Sequence, residues 1–267
     1  MNIEKILKAS QQRPLTEEER EVIRTLRKGY REALREKKAL RRHNRQLNAE
    51  GLLDGLTQVY NRKSFDKILD RAMEALDKGD IHGFGMLCSD IDNLKAVNEK
   101  YGHAKGDEAI KYTARFLSGF FRTPAVEDYL QIFHPQRLHD FLCRIGGDEF
   151  FAIAANHDYC FLLRRAKDIH DKSCEDRYVN TLSMGVSWVC APMDTREFYD
   201  GSDKALMKAK RHNRRHDYRE GERRVGLWLP DENKDVMLMG FDGNVYGDKG
   251  HLVGHFDSPK NRLIYDR

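Results

Sequence analysis

The sequence predicts an α/β fold of the α+β kind, with a helical arm before it and a small β-rich extension after it. Three observations carry this. Residues 1–50 repeat apolar positions every seven residues, residues from about 51 alternate helical with β-rich runs, and residues 217–267 break into short apolar runs between turn signals. With 267 residues, 40% hydrophobic and 10% aromatic, the chain can bury a core, which excludes a wholly disordered or collagen-like protein.

The elements follow in order. Thr16-Glu17-Glu18-Glu19 has the spacing of a capping box, so a helix starts there. Leu26, Ala33, Leu40 and Leu47 recur every seven residues, and Ile23, Tyr30, Lys37 and Asn44 stand three residues before them, the a/d seam of a coiled coil. The polar a positions Lys37 and Asn44 fix register and favour a parallel homodimer; the alternative is a single helix lying along its own domain. GFGMLCSDID (83–92) reads as a buried strand that delivers carboxylates at its C-terminal end. DEAIKYTARFLSGFF (107–121) is helical, and FLCRI (141–145) and FFAIAA (150–155) flank Gly146-Gly147-Asp148-Glu149 as the arms of a hairpin. A helix (159–172), a strand (180–189) and a helix (202–212) complete the middle region. VGLWL, DVMLMGF, HLVGHF and RLIYD then form the extension, where Trp228, Phe241, Tyr246 and Phe256 supply a little core of its own or, alternatively, a small ligand surface. The divisions are thus 1–50, 51–216 and 217–267.

Charge and cysteine usage narrow the class. Residues 1–50 hold 14 Lys/Arg and 8 Asp/Glu, so a net charge of +4 for the whole chain leaves −2 for the rest. Because both signs are interspersed, the arm reads as a solvated helix face, and no nucleic-acid partner is expected. Cys88, Cys143, Cys160, Cys174 and Cys190 are odd in number and show no C-x-x-C pair, so they read as buried thiols. No uncharged apolar stretch approaches the ~20 residues that cross a bilayer, and the N-terminus lacks a secretory apolar region. A cytoplasmic protein without a membrane span is expected.

Asp90 and Asp92 end one strand, and Asp148 and Glu149 sit in the hairpin turn. If the hairpin pairs beside that strand, the carboxylates converge at one sheet edge, an oxygen-rich open site suited to Mg²⁺ and substrate phosphates. Taken alone, such acids are as readily solvated surface.

Arg144-Ile145-Gly146-Gly147-Asp148-Glu149-Phe150 resembles the signature of the GGDEF-domain diguanylate cyclases, which condense two GTP into cyclic di-GMP. Four further blocks resemble the family in order: Asp54-Gly55-Leu56-Thr57 with Asn61-Arg62; Asp90-Ile91-Asp92 with Lys95, Asn98, Tyr101-Gly102-His103 and Gly106-Asp107; Ser183-Met184-Gly185-Val186; and Ser202 to Lys210. The resemblance spans about residues 52–215. It implies a mainly antiparallel central sheet surrounded by helices, like the palm of nucleotide polymerases and nucleotidyl cyclases. It further implies that Asp90, the Ile91 carbonyl and Asp148 hold two Mg²⁺ ions per half-site, with Mn²⁺ as a substitute. Asp148 would help activate the ribose 3′-hydroxyl, and Glu149 would support the metal site. Asn98, His103 and Asp107 would bind base and sugar, Lys210 and Arg214 the phosphates, with Lys95 beside them. A family variant that makes mixed GMP–AMP dinucleotides carries serine at the position of Asp107, so Asp107 favours GTP. Each half-site takes one nucleotide, so two chains must meet, which gives the N-terminal arm a part in the chemistry.

Arg137 and Asp140 occupy the position of the family's R-x-x-D product-inhibition site, although residues 121–136 are longer than the usual connection. Leu94, Glu99, Ser202, Met207 and Asn213 depart from the family's usual Phe, Asp, Ala, Tyr and Gly, and none of these removes a metal carboxylate. The alternative function is a catalytically silent module that senses GTP or cyclic di-GMP through protein contacts. Control is expected from a regulatory protein docking on the arm or from the extension.

Overall fold

The computed structural model describes residues 14, 16–123, 140–176, 180–215, 223–230, 233–247, 252–257 and 262–265. They fall into two units divided at Gly51–Leu52.

The first unit is the greater part of helix α1 (Glu17–Leu52). Its start is the expected capping box: the Thr16 amide donates to Glu19 Oε2 at 2.9 Å and the Glu19 amide to Thr16 Oγ1 at 3.3 Å. Glu17, Glu18 and Glu19 also place negative charge where the helix dipole favours it. Of the heptad residues, Leu26 is 41% and Tyr30 71% exposed. The side chains of Leu40, Asn44 and Leu47 lie outside the described residues.

The second unit is built on one sheet. Its strands are β1 (Tyr60–Asn61), β2 (Phe84–Ile91), β3 (Asp140–Gly146), β4 (Glu149–Ala155), β5 (Leu182–Val189), β6 (Arg224–Leu229), β7 (Asn233–Gly240), β8 (Asn244–Tyr246), β9 (Leu252–Asp257) and β10 (Arg262–Tyr265). Their spatial order is β1-β3-β4-β2-β5-β6-β7-β8-β9-β10. The sheet is mixed, antiparallel except where β1 meets β3 and β5 meets β6. Helices α2 (Arg62–Asp77), α3 (Leu94–Tyr101), α4 (His103–Ser118), α5 (Tyr159–Glu175) and α6 (Thr195–Arg215) surround it.

Strand alternation sorts the core into two layers. Phe84, Met86 and Cys88 of β2 face the side of Phe65 and Ile68 from α2 and Phe198, Ala205 and Leu206 from α6. Leu87 and Ile91 face the side of Ile110, Ala114 and Leu117 from α4 and Leu162, Ala166 and Ile169 from α5. All of β2 is therefore buried, which is why its sequence reads as a nearly continuous apolar run.

The extension differs from its expectation. It is no separate appendage with a core of its own: β6 hydrogen-bonds to β5 and continues the sheet, and all described residues from Leu52 onward belong to one compact unit. Two of its aromatics pack on the rest of the domain, Trp228 against Phe198 of α6 and Phe241 stacked on His170 of α5, 4.0 Å between ring centroids, whereas Tyr246 lies under Arg224 of the extension itself and the Phe256 side chain lies outside the described residues. Helix α6 lies directly on the β5–β6 floor. Gly185 and Gly226 are register partners there, and a Cβ at Gly226 would stand 1.9 Å from the Ala205 carbonyl oxygen. Only glycine lets the helix approach so closely.

Two smaller expectations also change. Cys88, Cys143 and Cys160 are buried, whereas Cys174 and Cys190 are exposed. Helix α6 starts well before residue 202, because Asp194 caps it by accepting the Glu197 amide at 2.9 Å. Among the described residues no helix is long and apolar enough to cross a membrane.

Candidate active site

The hairpin does pair beside the carboxylate strand. Asp90 is the register partner of Glu149 on one side and of Ser183 on the other. The Ile91 amide donates to the Asp148 carbonyl at 3.2 Å, so the β3–β4 turn is tied to the end of β2. Gly147 takes φ +51° in that turn, which a side chain would resist.

A buttress holds the turn from behind. Arg144 Nε and Nη2 donate to the Gly147 carbonyl at 3.0 and 2.8 Å, and its Nη1 donates to Asp54 Oδ1 at 3.0 Å. Asp54 also accepts the Thr57 amide and hydroxyl at 2.9 and 2.7 Å. Burial alone would raise the Asp54 pKa, but the hydrogen bonds from Thr57 and Arg144 outweigh it and hold the carboxyl below its ordinary value.

The site itself is left short of positive charge. Asp90 is 1% exposed, and Lys210 Nζ of α6 donates to its Oδ2 at 2.5 Å. Burial nevertheless pushes the Asp90 pKa up to about 7, with Asp148 and Asp92 adding to it and Lys210 opposing. Glu149 is raised as well, first by burial and then by Asp203 and Asp148 against Lys210 and Arg62. Among the described residues Lys210 is the cation in contact with Asp90 and Arg62 acts with it on Glu149, yet both carboxyls stay raised and would accept further cationic charge. Among the described residues no three His, Cys, Asp or Glu side chains cluster as a closed metal cage. Asp90, the Ile91 backbone and Asp148 come together here as an open oxygen set that could hold a cation only with water or substrate oxygens to complete it, as Mg²⁺ sites commonly have.

Two clefts flank Asp148. One, of about 510 Å³, is lined by Leu94, Lys95, Asn98, His103, Gly147 and Asp148 among others. The other, of about 400 Å³, includes Ile91, Asn93, Lys95, Asp148 and Arg214. Asn98 is set against Gly106, where a Cβ would stand 1.8 Å from its Oδ1. The structure thus brings together Asp90, Ile91, Asn98, His103, Asp148 and Arg214, with Lys95 at the rim and paired to Glu99 at 3.7 Å. Asp107 is exposed on α4 and lines neither cleft. Asp140 is 1% exposed at the start of β3, its Oδ2 accepting the Arg122 amide at 3.2 Å, while Arg137 lies outside the described residues.

Sequence reasoning missed two features. The Asp54–Arg144 link was visible only as an acid and a base in separate matched blocks. Asp92, grouped with the site, is instead locked from below: Ser183 Oγ donates to its Oδ1 at 2.7 Å and Arg223 Nη2 donates to its Oδ2. Nothing in the spacing of residues 92 and 223 announces that pair.

Similarity to known proteins covers the region that carries these residues. The family described as "Diguanylate cyclase, GGDEF domain" matches residues 52–216. A probable diguanylate cyclase, DgcC of Escherichia coli K12, is 30% identical over 182 residues, 66% of this chain and 45% of that protein. A diguanylate cyclase of Vibrio cholerae is 30% identical over 167 residues, 60% of this chain and 47% of that protein. The chain thus spans about half the length of these curated relatives. Among solved structures, the coiled coil and GGDEF domain of Caulobacter crescentus DgcB in complex with c-di-GMP is 26% identical, with a TM-score of 0.56 over 70% of this chain and 95% of that one. On the extent of the family match and the placement of its signature residues, this chain belongs to the GGDEF-domain diguanylate cyclase family.

Proposed function

We propose that the chain is a diguanylate cyclase that condenses two GTP into cyclic di-GMP and two pyrophosphates across a homodimer. The observation that carries this reading is the junction of Asp90, Ile91 and Asp148 beside two clefts lined by Asn98, His103 and Arg214. The under-neutralised carboxylates fit Mg²⁺, two ions per half-site or Mn²⁺ in their place, held by Asp90, the Ile91 carbonyl and Asp148. When bound, the metal would polarise the α-phosphate and ease charge on the attacking oxygen.

The chain's own residues do the positioning. Asn98 and His103 orient base and sugar in the larger cleft, and Asp107, four residues past His103 on α4 and outside the cleft lining, is assigned the guanine edge by the family resemblance alone. Arg214 and Lys210 hold the phosphates, Lys210 exchanging its present partner Asp90 for the nucleotide. Asp148 takes the proton from the 3′-hydroxyl, the oxygen bonds to the partner nucleotide's α-phosphorus, and pyrophosphate leaves; the same step in the other half-site closes the ring. Fixed charges aimed at a loose phosphoryl transition state suit such chemistry. The heptad seam of α1 brings the two copies together, and the similarity to a coiled-coil GGDEF structure supports that arrangement. Product feedback through Arg137 and a regulatory partner on the arm belong to the same reading.

The test is to incubate the purified chain with GTP and Mg²⁺ and to identify the nucleotide products by chromatography and mass, with Asp148→Ala and Arg137→Ala alongside. Cyclic di-GMP from the wild type and none from Asp148→Ala is expected, as is a progress curve less curbed by product in Arg137→Ala. Tight GTP binding without turnover would favour the silent sensor module.

A further inference from the structure

We infer that Arg223, which lies beyond the family match, is a positioning residue for the metal-binding end of β2, so that the C-terminal extension forms part of the catalytic apparatus. The inference rests on the reading of Asp90 and the Ile91 carbonyl as metal donors.

The carbonyl of Ile91 is held from both sides. On one side the Ile91 amide is fixed to the hairpin turn through the Asp148 carbonyl at 3.2 Å. On the other, the Asp92 amide, in the same peptide unit as that carbonyl, donates to Thr181 O at 2.9 Å, and the next carbonyl, that of Asp92, accepts Asn180 Nδ2 at 3.2 Å. The Asp92 carboxylate takes Ser183 Oγ at 2.7 Å and Arg223 Nη2, and the same Nη2 donates to the Leu182 carbonyl at 3.0 Å. Arg223 therefore staples the ends of β2 and β5 together one residue past the proposed metal-binding carbonyl. Asp92 and Arg223 side chains are 6% and 5% exposed, so water does not replace the contact.

The staple is aimed at the site and not at the sheet in general. Immediately after Asp92 the chain turns through Asn93, at φ +60°, into α3, which carries Lys95 and Asn98. Immediately after Arg223, Arg224 exchanges two hydrogen bonds with Asn213, one residue before Arg214: its amide donates to Asn213 Oδ1 at 3.0 Å and its carbonyl accepts Asn213 Nδ2 at 3.3 Å. Arg223 and Arg224, the first described residues of the extension, are thus tied to Asp92 at the end of β2 and to Asn213 of α6 together. Groups that orient a metal donor from behind typically govern metal affinity or activity by about 10–100-fold.

The experiment uses the full chain. Mn²⁺ binding is followed by electron paramagnetic resonance with a GTP analogue that carries a methylene bridge between its α and β phosphates, and kcat and KM are measured with GTP and Mg²⁺. Arg223→Gln is expected to weaken Mn²⁺ about tenfold and to lower kcat about tenfold with KM for GTP near wild type. Arg223→Lys keeps the charge with a shorter reach and is expected to fold and to fall between the two, about threefold weaker. Wild-type Mn²⁺ affinity in either folded variant, with only the melting temperature lowered, makes Arg223 a purely structural residue and overturns the inference. If the wild type yields no cyclic dinucleotide yet Arg223→Gln still loses Mn²⁺ affinity, the positioning role stands and the cyclase reading fails instead.

Discussion

Asp90 and Asp92 stand two residues apart at the same end of β2, both buried, and their surroundings solve opposite problems. The Asp92 carboxylate is met by the Arg223 guanidinium and the Ser183 hydroxyl, a pairing made within the fold. Asp90 is met by Lys210, and burial, with Asp148 and Asp92 adding to it, outweighs that lysine and pushes the carboxyl pKa up to about 7. The contrast separates a carboxylate that holds structure from one kept available for a ligand. Stored electrostatic tension of this kind is commonly found where function needs it.

Breaking the Asp90 side of the contrast should have the largest effect on activity. Asp90→Asn is expected to lower turnover at least ~1000-fold, as loss of a group acting directly at the reacting centre does. Its effect on stability should have the opposite sign. A carboxyl whose folded pKa is raised above its unfolded value opposes folding once pH exceeds that unfolded value, and the cost is complete above about pH 7. Asp90→Asn should therefore melt a few degrees higher than wild type at pH 8, with the gain fading as pH falls toward 4. Thermal melts across that range check it; a lower melting temperature at pH 8 would mean that the Lys210 pair outweighs burial.

Breaking the Asp92 side should do the reverse. Asp92→Asn removes the anion that Arg223 is buried to meet, and an uncompensated buried charge costs about 3–5 kcal/mol. Denaturant unfolding of Asp92→Asn should show a loss of that order at pH 7, and a loss under about 1 kcal/mol would show that the pair is not the lock described above.

How much of this was legible in sequence follows from range. The capping box at Thr16–Glu19 and the buried run of β2 are local patterns, and the structure has both. The convergence of Asp90 with Asp148 was readable because a glycine-rich hairpin constrains where its turn lies. The fate of residues 217–267 was not. Short strands between turn signals look alike whether they close on themselves or extend a neighbouring sheet. The parallel joining of β6 to β5 depends on Gly185 and Gly226 meeting beneath α6, a relation between distant glycines. Asp92 and Arg223 were unreadable for the same reason, since an isolated acid and an isolated base carry no sign of their pairing.

The smallest effect concerns the outer part of the same lock. His170 of α5 stacks on Phe241 of the extension, and its ring nitrogens lie 3.9 and 4.0 Å from Cys174 Sγ. Burial lowers its pKa to about 4, with Arg223 and Lys167 adding to the fall and Asp171 opposing it. A histidine depressed in the folded state binds fewer protons there than when unfolded. Its contribution to stability is therefore complete above about pH 6.5 and is lost as pH falls toward 4. His170→Gln should flatten the slope of melting temperature against pH within that window while leaving the slope above pH 7 as in wild type. An unchanged slope between pH 6.5 and 4 would place the acid sensitivity elsewhere. Because Arg223 contributes to the depression, Arg223→Lys, with its cation drawn back, should raise the lower edge of that window and so narrow it, which ties the acid response of the extension to the residue that fixes Asp92.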